Sequence, residues 1–190
     1  PNHEYDAAAT DADDVTRATI SARKEINAIV NALRKKGAPW ENLRLVATAE
    51  HIGVREGRRI HGLHTVSLDE MVAGRRHEDG ICRVRFGIDV HSTSRSRSKG
   101  FDKKNRVGTK AYDIPYRSLV AADIDGLLMA GRCISGDFLA HSSYRVTGNA
   151  VPMGETAGVA AALCSQRGCP PRNLPWSVLG PVLEAARGRS

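Results

Sequence analysis

The chain has 190 residues, of which 41% are hydrophobic and 26% are charged, values that are ordinary for one globular domain with its own core. No apolar run approaches the roughly 18 residues of a membrane span, and no N-terminal signal is visible. Because the first residue is Pro1 rather than Met, we expect the true N-terminus to lie upstream, and the cytoplasm is the default location. A formal net charge of +7 favours anionic partners, such as nucleic acid, a membrane surface or small molecules with phosphate or carboxylate groups.

The first part of the chain predicts a long helix and two shorter elements. Apolar residues recur at spacings of three and four over residues 15–33, after a run of aspartates, and Gly37 follows at the position of a C-cap. Residues 41–49 ("ENLRLVATA") alternate like a strand with one buried face. Ser67 and Glu70 predict a capping box at the start of a short helix.

The rest of the chain predicts two strands, a loop and two helices. Residues 80–91 are strand-like, and residues 92–110, rich in Ser, Gly, Lys and Arg, are typical of an exposed loop. The apolar run 127–131 predicts a short buried strand, and residues 149–165 and 176–186 predict helices. The predicted fold class is therefore α/β or α+β, with a small, mostly antiparallel sheet and packed helices.

Many polar residues lie between the last predicted strand and the helix that follows it. A helix N-terminus presents unpaired N–H groups and a partial positive charge, so it is a natural place for an anionic group. Thr147, Gly148 and Asn149 lie at that N-terminus, and Gly131 ends the strand, where the lack of a Cβ allows close approach of the backbone. The alternative, an ordinary strand-to-helix crossover with a capped helix, stays open at this point.

Two further groups of side chains are candidates for binding or catalysis. Arg55, Arg58 and Arg59 in "GVREGRRI" would bind carboxylate or phosphate bidentately if their apolar neighbours anchor the segment, and otherwise they form a charged solvent face. Asp89 and His91 alternate along a predicted strand. A carboxylate beside an imidazole orients it for proton transfer, but most such pairs are structural.

Two other interpretations are less favoured. The Ser/Arg-rich loop is basic, yet Phe101 is the only aromatic residue in it, so a solvated loop is favoured over nucleic-acid binding. Four histidines show neither an HExxH nor a paired-cysteine pattern, so no metal site is predicted. These histidines are His51, His61, His64 and His77.

Four motifs together resemble the FAD-dependent oxidoreductase family, in the group related to the fumarate reductase and succinate dehydrogenase flavoproteins. The motifs are "GVREGRRI" at residues 53–60, "IDVH" at 88–91, "IPYR" at 114–117, and the long stretch that begins with "GRCIS" at 131–135. The resemblance runs over residues 26–163, with Thr156 in place of an alanine of the family pattern.

The resemblance implies that the chain is the C-terminal portion of such a flavoprotein. Flavoproteins of this type begin with a Rossmann unit that carries G-x-G-x-x-G, and that motif is absent from the 190 residues. Residues 1–126 would then be part of the substrate-side region, and residues 127–190 the segment that returns to the FAD-binding domain. FAD is the implied cofactor of the whole flavoprotein, and we expect this chain alone to bind FAD weakly or not at all.

The resemblance also implies the site residues. The cofactor-binding candidates belong to the strand–loop–helix segment expected to close over the flavin, and they are Gly131, Arg132, Ser135, Asp137, Thr147, Gly148, Asn149 and Ala150. The catalytic candidates are the basic side chains of the motifs, and they are Arg55, Arg58, Arg59, His91, Arg117, His141 and Arg145. Among these, His141 and Arg145 keep an interval that resembles the H-x-x-x-R of fumarate reductases, in which the Arg holds a substrate carboxylate.

Three functions are weighed for the chain. The favoured one is part of an enzyme that transfers a hydride between FAD and an unknown organic substrate, an acid or a sugar-like molecule, and whether this chain alone is an enzyme is left open. The second is a non-catalytic module that associates with itself or with a missing Rossmann domain through exposed apolar surface. An anion or nucleic-acid binder is least favoured, so the expected partner is a small-molecule substrate, and neither nucleic acid nor a membrane.

Overall fold

A computed structural model describes residues 4–90 and 107–188. The described residues divide into two compact units, one of residues 4–57 and the other of residues 58–90 with 107–188. In the described residues, no helix is long and apolar enough to cross a bilayer.

The first unit contains one long helix, α1 (Ala12–Arg34), as predicted. Asp11 is its N-cap, and the Asp11 side chain accepts a hydrogen bond of 2.9 Å from the N–H of Asp14. Acidic residues in the first turn and Arg34 in the last complement the helix dipole. Ala18 is buried, whereas Ile20 is about half exposed, so the apolar face of α1 is only partly covered.

The predicted strand at residues 41–49 is wrong, because these residues form no regular structure. Val46 is 95% exposed, so the alternation does not mark a buried face. A strand needs a neighbouring strand for its backbone hydrogen bonds, and the described part of this unit offers none. Side chains of α1 tie the segment down instead, with Arg34 Nε donating to the carbonyl of Leu43 at 2.7 Å.

The second unit is built around two antiparallel strands, β1 (Gly80–Val84) and β2 (Tyr112–Pro115). All four residues of β2 are buried. The packed helices are α2 (Leu68–Ala73), α3 (Phe138–Tyr144), α4 (Thr147–Arg167) and α5 (Trp176–Arg187). This mixed α and β architecture with a small antiparallel sheet confirms the predicted fold class.

Both strand predictions in this unit were too long. The strand predicted over residues 80–91 ends at Val84, because its partner there, Tyr112, is the first residue of β2 and no described residue continues the ladder. The strand predicted over residues 127–131 is reduced to a single bridge at Leu128. Gly131 has φ +70°, which lies outside the strand region, and it begins a short 3-10 helix.

The predicted helices of this unit are confirmed. α2 begins with the capping box, in which the N–H of Glu70 donates to Ser67 Oγ and the N–H of Ser67 donates to the Glu70 carboxylate. α4 covers the predicted residues 149–165, and α5 covers residues 176–186. Of the predicted loop, residues 92–106 lie outside the described residues, and residues 107–110 form no regular structure.

Three buried tyrosines donate hydrogen bonds from the core to neighbouring segments. The hydroxyl of Tyr112 donates to Ser143 at 2.9 Å, that of Tyr116 to the carbonyl of Pro171 at 3.0 Å, and that of Tyr144 to the carbonyl of Ile134 at 3.1 Å. Burial raises the pKa of all three hydroxyls, so they remain neutral donors. Each tyrosine therefore combines a large apolar body with a satisfied polar end.

The packing of Tyr144 on Gly136 generates a stability prediction. A Cβ on Gly136 would lie 2.5 Å from Cε1 of Tyr144 and 2.6 Å from its hydroxyl oxygen. We expect Gly136→Ala to lower the free energy of unfolding by about 1–3 kcal/mol in denaturant titrations, because the buried ring has no room to move.

The matched control is Gly154→Ala, on an exposed face of α4 where a Cβ would meet nothing within 4 Å. This change should raise stability by about 0.5–1 kcal/mol, since alanine favours a helix interior over glycine. Equal effects of the two substitutions would contradict the packing described for Tyr144.

Candidate functional site

The start of α4 carries the first candidate site. α4 begins at Thr147, and no side chain caps it at Val146. The backbone N–H groups of Asn149 and Ala150 donate to the carbonyl of Val146, at 3.1 and 3.2 Å. Thr147 and Gly148 are exposed. This end of the helix is therefore open to an anionic group or a polar ring edge, with the positive end of the helix dipole behind it.

The turn at Gly131 lies against this helix start. A Cβ on Gly131 would come within 3.6 Å of the Cβ of Ala150. The N–H of Gly131 donates to Sδ of Met153 at 3.2 Å. Gly131 is itself buried, and its positive φ favours glycine there. The predicted residues Gly131 and Ala150 are thus brought together.

Two of the three other cofactor candidates in this segment make hydrogen bonds within the fold. Ser135 is 2% exposed, and its hydroxyl hydrogen-bonds that of Thr65 at 2.9 Å. Asp137 is the N-cap of α3, and its carboxylate accepts N–H groups of Ala140 and Leu68, both at 2.7 Å. Both carry structural contacts, while Arg132 projects from the 3-10 helix as an exposed cation.

In the predicted H-x-x-x-R pair, His141 lies within α3 and Arg145 is the C-cap of that helix. His141 is fully buried, with its ring edge-on to Tyr144 at a centroid distance of 5.5 Å. Arg145 is half-buried at the C-terminal end of α3, and its Nη2 donates to the carbonyl of Asp89 at 2.8 Å. His91, the histidine of the predicted Asp–His pair, lies outside the described residues.

The predicted arginine cluster falls on both compact units. Arg55 is exposed in the first unit, whereas Arg58 and Arg59 begin the second, exposed and half-buried respectively. The next residue, Ile60, donates its N–H to the carbonyl of Cys133 at 3.1 Å. This bond holds the backbone beside Arg59 against the 3-10 helix that Gly131 begins, so the cation lies near the candidate site.

A second candidate site is an open cavity of about 350 Å³ around Arg117. The Arg117 guanidinium donates two hydrogen bonds to the Asp79 carboxylate, from Nε to Oδ2 at 2.9 Å and from Nη2 to Oδ1 at 3.1 Å. The backbone N–H of Arg117 reaches the same carboxylate at 3.2 Å. The apolar walls of the cavity are contributed by Leu63, Tyr116, Pro171, Leu174 and Trp176. Arg117 and Arg172 line the cavity together with the carboxylates of Glu78 and Asp79, so its lining has no excess of positive charge.

The ion pair shifts both pKa values. Burial works to raise the pKa of the Asp79 carboxyl, but hydrogen bonds from the side chain and the backbone N–H of Arg117 outweigh burial and hold the pKa below its usual range. The hydrogen bond to Asp79 raises the pKa of Arg117. Sequence reasoning missed Asp79, since 38 residues separate it from Arg117 and no motif joins them.

A third group of ionisable side chains was dismissed at the level of sequence. His64, Glu70 and His77 converge so that three potential ligand atoms lie within 4.8 Å of one another. No metal-binding motif marks them, because they are spaced by six and seven residues across a bend, a helix and the segment after it.

Comparison with known proteins identifies the family of the chain. The sequence model of the FAD dependent oxidoreductase family matches residues 1–183. The chain therefore belongs to this family of flavin-dependent enzymes. No curated protein and no solved structure matches the chain.

The Asp79–Arg117 pair predicts a pH-dependent stability. Because the folded pKa of Asp79 is lowered, its contribution is present above the unfolded pKa of about 3.9 and is lost as the pH falls through the folded value. At pH 7 we expect Asp79→Asn to lower the free energy of unfolding by about 1.5–3 kcal/mol, the usual range for hydrogen bonds to a charged group.

Denaturant titrations at several pH values would measure this effect. The difference between the native chain and Asp79→Asn should shrink as the pH falls below about 4. Glu78→Gln, at an exposed neighbouring carboxylate that lines the same cavity, should stay within about 0.5 kcal/mol of the native chain. A difference for Asp79→Asn that persists unchanged at low pH would contradict the pairing.

Proposed function

We propose that the chain supplies the flavin-facing and substrate-facing elements of a fumarate reductase-like oxidoreductase. The reaction is hydride transfer between FAD and a small organic acid or sugar-like molecule. The observation that carries this proposal is the uncapped start of α4 beside Gly131, in a member of the FAD dependent oxidoreductase family. An electron-poor helix end and a glycine that admits a planar ring are what a flavin edge requires.

The residues at the start of α4 fit a flavin. Exposed Thr147 and Gly148 would direct backbone N–H groups to the oxygen and nitrogen atoms of the ring edge. Gly131 would let the ring or its side chain approach the turn without a Cβ in the way. When bound, the flavin supplies hydride transfer, and the helix end stabilises the negative charge of the reduced ring.

The arginines near the same turn are the proposed substrate anchors. Arg59 lies next to the residue bonded to Cys133, and Arg145 lies at the end of α3, three residues before Gly148. A guanidinium binds a carboxylate bidentately, which fixes both the position and the orientation of the substrate. His141 is buried behind Arg145, so we assign it a positioning role.

Flavin binding by this chain alone should be weak. The G-x-G-x-x-G motif that holds the pyrophosphate is absent from the 190 residues, so we propose that a Rossmann unit completes the site. Residues 1–126 would then be a substrate-side region, residues 127–190 would return to the flavin domain, and the complete enzyme would work in the cytoplasm.

Association is a second candidate function, and one observation favours it. Val151, in the first turns of α4, is 67% exposed, and Phe138 at the start of α3 is 39% exposed. Apolar side chains beside a cofactor edge are suited to contact with a second polypeptide, either a Rossmann unit or another copy of this chain. This candidate is compatible with the first, because the same contact would close the flavin site.

Titration of FAD with the chain tests the flavin assignment. We expect saturable quenching of flavin fluorescence, with the flavin lost on desalting. Gly148→Asp should weaken binding at least about tenfold, because a carboxylate at the helix start repels the electron-rich ring edge and satisfies the N–H groups itself. The substitution should leave the fold intact, since a Cβ there meets nothing within 4 Å and acidic residues favour a first turn.

Gly158→Asp is the matched control, because it adds the same charge in the middle of α4 at an exposed position with open space. It should bind FAD as the native chain does. Equal affinities of the two variants would contradict the placement of the flavin at the start of α4.

A further inference from the structure

We propose that His64, Glu70 and His77 form a binding site for a divalent first-row transition-metal ion, of the kind that zinc occupies with two histidines and one glutamate. Two imidazoles and one carboxylate are a ligand set that suits Zn²⁺ and its neighbours in the series. The proposal concerns residues outside the flavin-facing turn and does not depend on the proposed function.

The backbone of each ligand is fixed by a different contact. The N–H of His64 donates to the carbonyl of Arg117 at 3.2 Å. Glu70 lies in the first turn of α2, where the capping box orients its side chain. The N–H of His77 donates to the Asp113 carboxylate at 3.3 Å, and the carbonyl of His77 accepts the N–H of Gly80 at 3.1 Å. The fold therefore fixes the backbone position of each of the three residues before an ion binds.

The ligand atoms are close to the separations that a tetrahedral ion requires. With metal–ligand bonds of about 2.0–2.2 Å, neighbouring ligand atoms lie about 3.3 Å apart. Nε2 of His64 lies 3.0 Å from Oε1 of Glu70, and Nε2 of His77 lies 3.2 Å from the same oxygen. The two imidazole rings meet edge to face, with centroids 4.8 Å apart. Small side-chain rotations would bring all three atoms onto one ion.

His77 is the observation that favours a ligand over a simple hydrogen-bonded cluster. Its side chain is 9% exposed, and its Nε2 atom is buried. Although Oε1 of Glu70 lies near, the approach lacks the direction of a hydrogen bond, and no other described group supplies one. A buried polar nitrogen without a hydrogen bond is costly, and a metal ion is a partner that would satisfy it.

The surroundings suit a cation. Two nearby arginines are paired with aspartates, Arg76 with Asp113 at 2.7 Å and Arg117 with Asp79 at 2.9 Å. The His64 and Glu70 side chains are 22% and 15% exposed, which gives an ion a path from solvent. Three protein ligands leave a fourth position for water or an anionic oxygen.

Titration of the chelator-stripped chain with Co²⁺, followed by visible absorption, tests this site. We expect ligand-field bands that saturate at one equivalent and disappear when Zn²⁺ is added. Glu70→Gln is the most informative variant, because glutamine at this position still completes a capping box but removes the carboxylate ligand. His77→Gln removes the buried imidazole, and both variants should weaken Co²⁺ binding more than about tenfold.

His61→Gln is the matched control, since His61 is an exposed histidine of the same segment and lies outside the cluster. It should bind Co²⁺ as the native chain does. Circular dichroism of each variant would verify the fold. The proposal is overturned if the native chain gives no saturable bands, or if folded Glu70→Gln keeps the native affinity.

Discussion

Residues 131–137 are the constraint on which the second unit depends, because their hydrogen bonds reach four distant parts of the chain. Gly131 donates to Met153 in α4, Cys133 accepts from Ile60, and Ser135 donates to the carbonyl of Ser118. Asp137 then caps α3 and also accepts the first N–H of α2. One short irregular segment thus bonds to the starts of α2 and α3 and to Met153 of α4. Gly131, the first residue of this segment, is also part of the candidate flavin site, so the contacts that stabilise the fold also position the site.

The helices could be predicted from the sequence because their signals are local. Aspartates before a periodic apolar run, and a serine three residues before a glutamate, define α1 and α2 through contacts within one turn. A strand has no such local signal, because its backbone hydrogen bonds go to another strand. Polar and apolar residues alternate over residues 41–49, yet the segment is irregular because it has no partner strand among the described residues. The turn at Gly131 was predicted as the end of a strand, although its positive φ ends the extended chain there.

The candidate site was predictable only in part. The start of α4 could be predicted from its small residues and its helix pattern. Its contact with Gly131 became visible only in the structure. Asp79 and Arg117 are joined by a contact across the β1–β2 region that no spacing reveals. The cluster around Glu70 was missed for the same reason, since its ligands come from a loop, a helix end and a turn. Side chains that meet only after folding leave no periodic trace in a sequence.

Hydrogen–deuterium exchange of the native chain, with and without excess FAD, tests the central claim most directly. If the uncapped start of α4 and the Gly131 turn face the flavin, peptides that cover residues 131–150 should exchange more slowly with FAD present, because the ligand occupies or shields their N–H groups. Peptides from α5 should be unaffected. Protection confined to other segments, with residues 131–150 unchanged, would contradict the account.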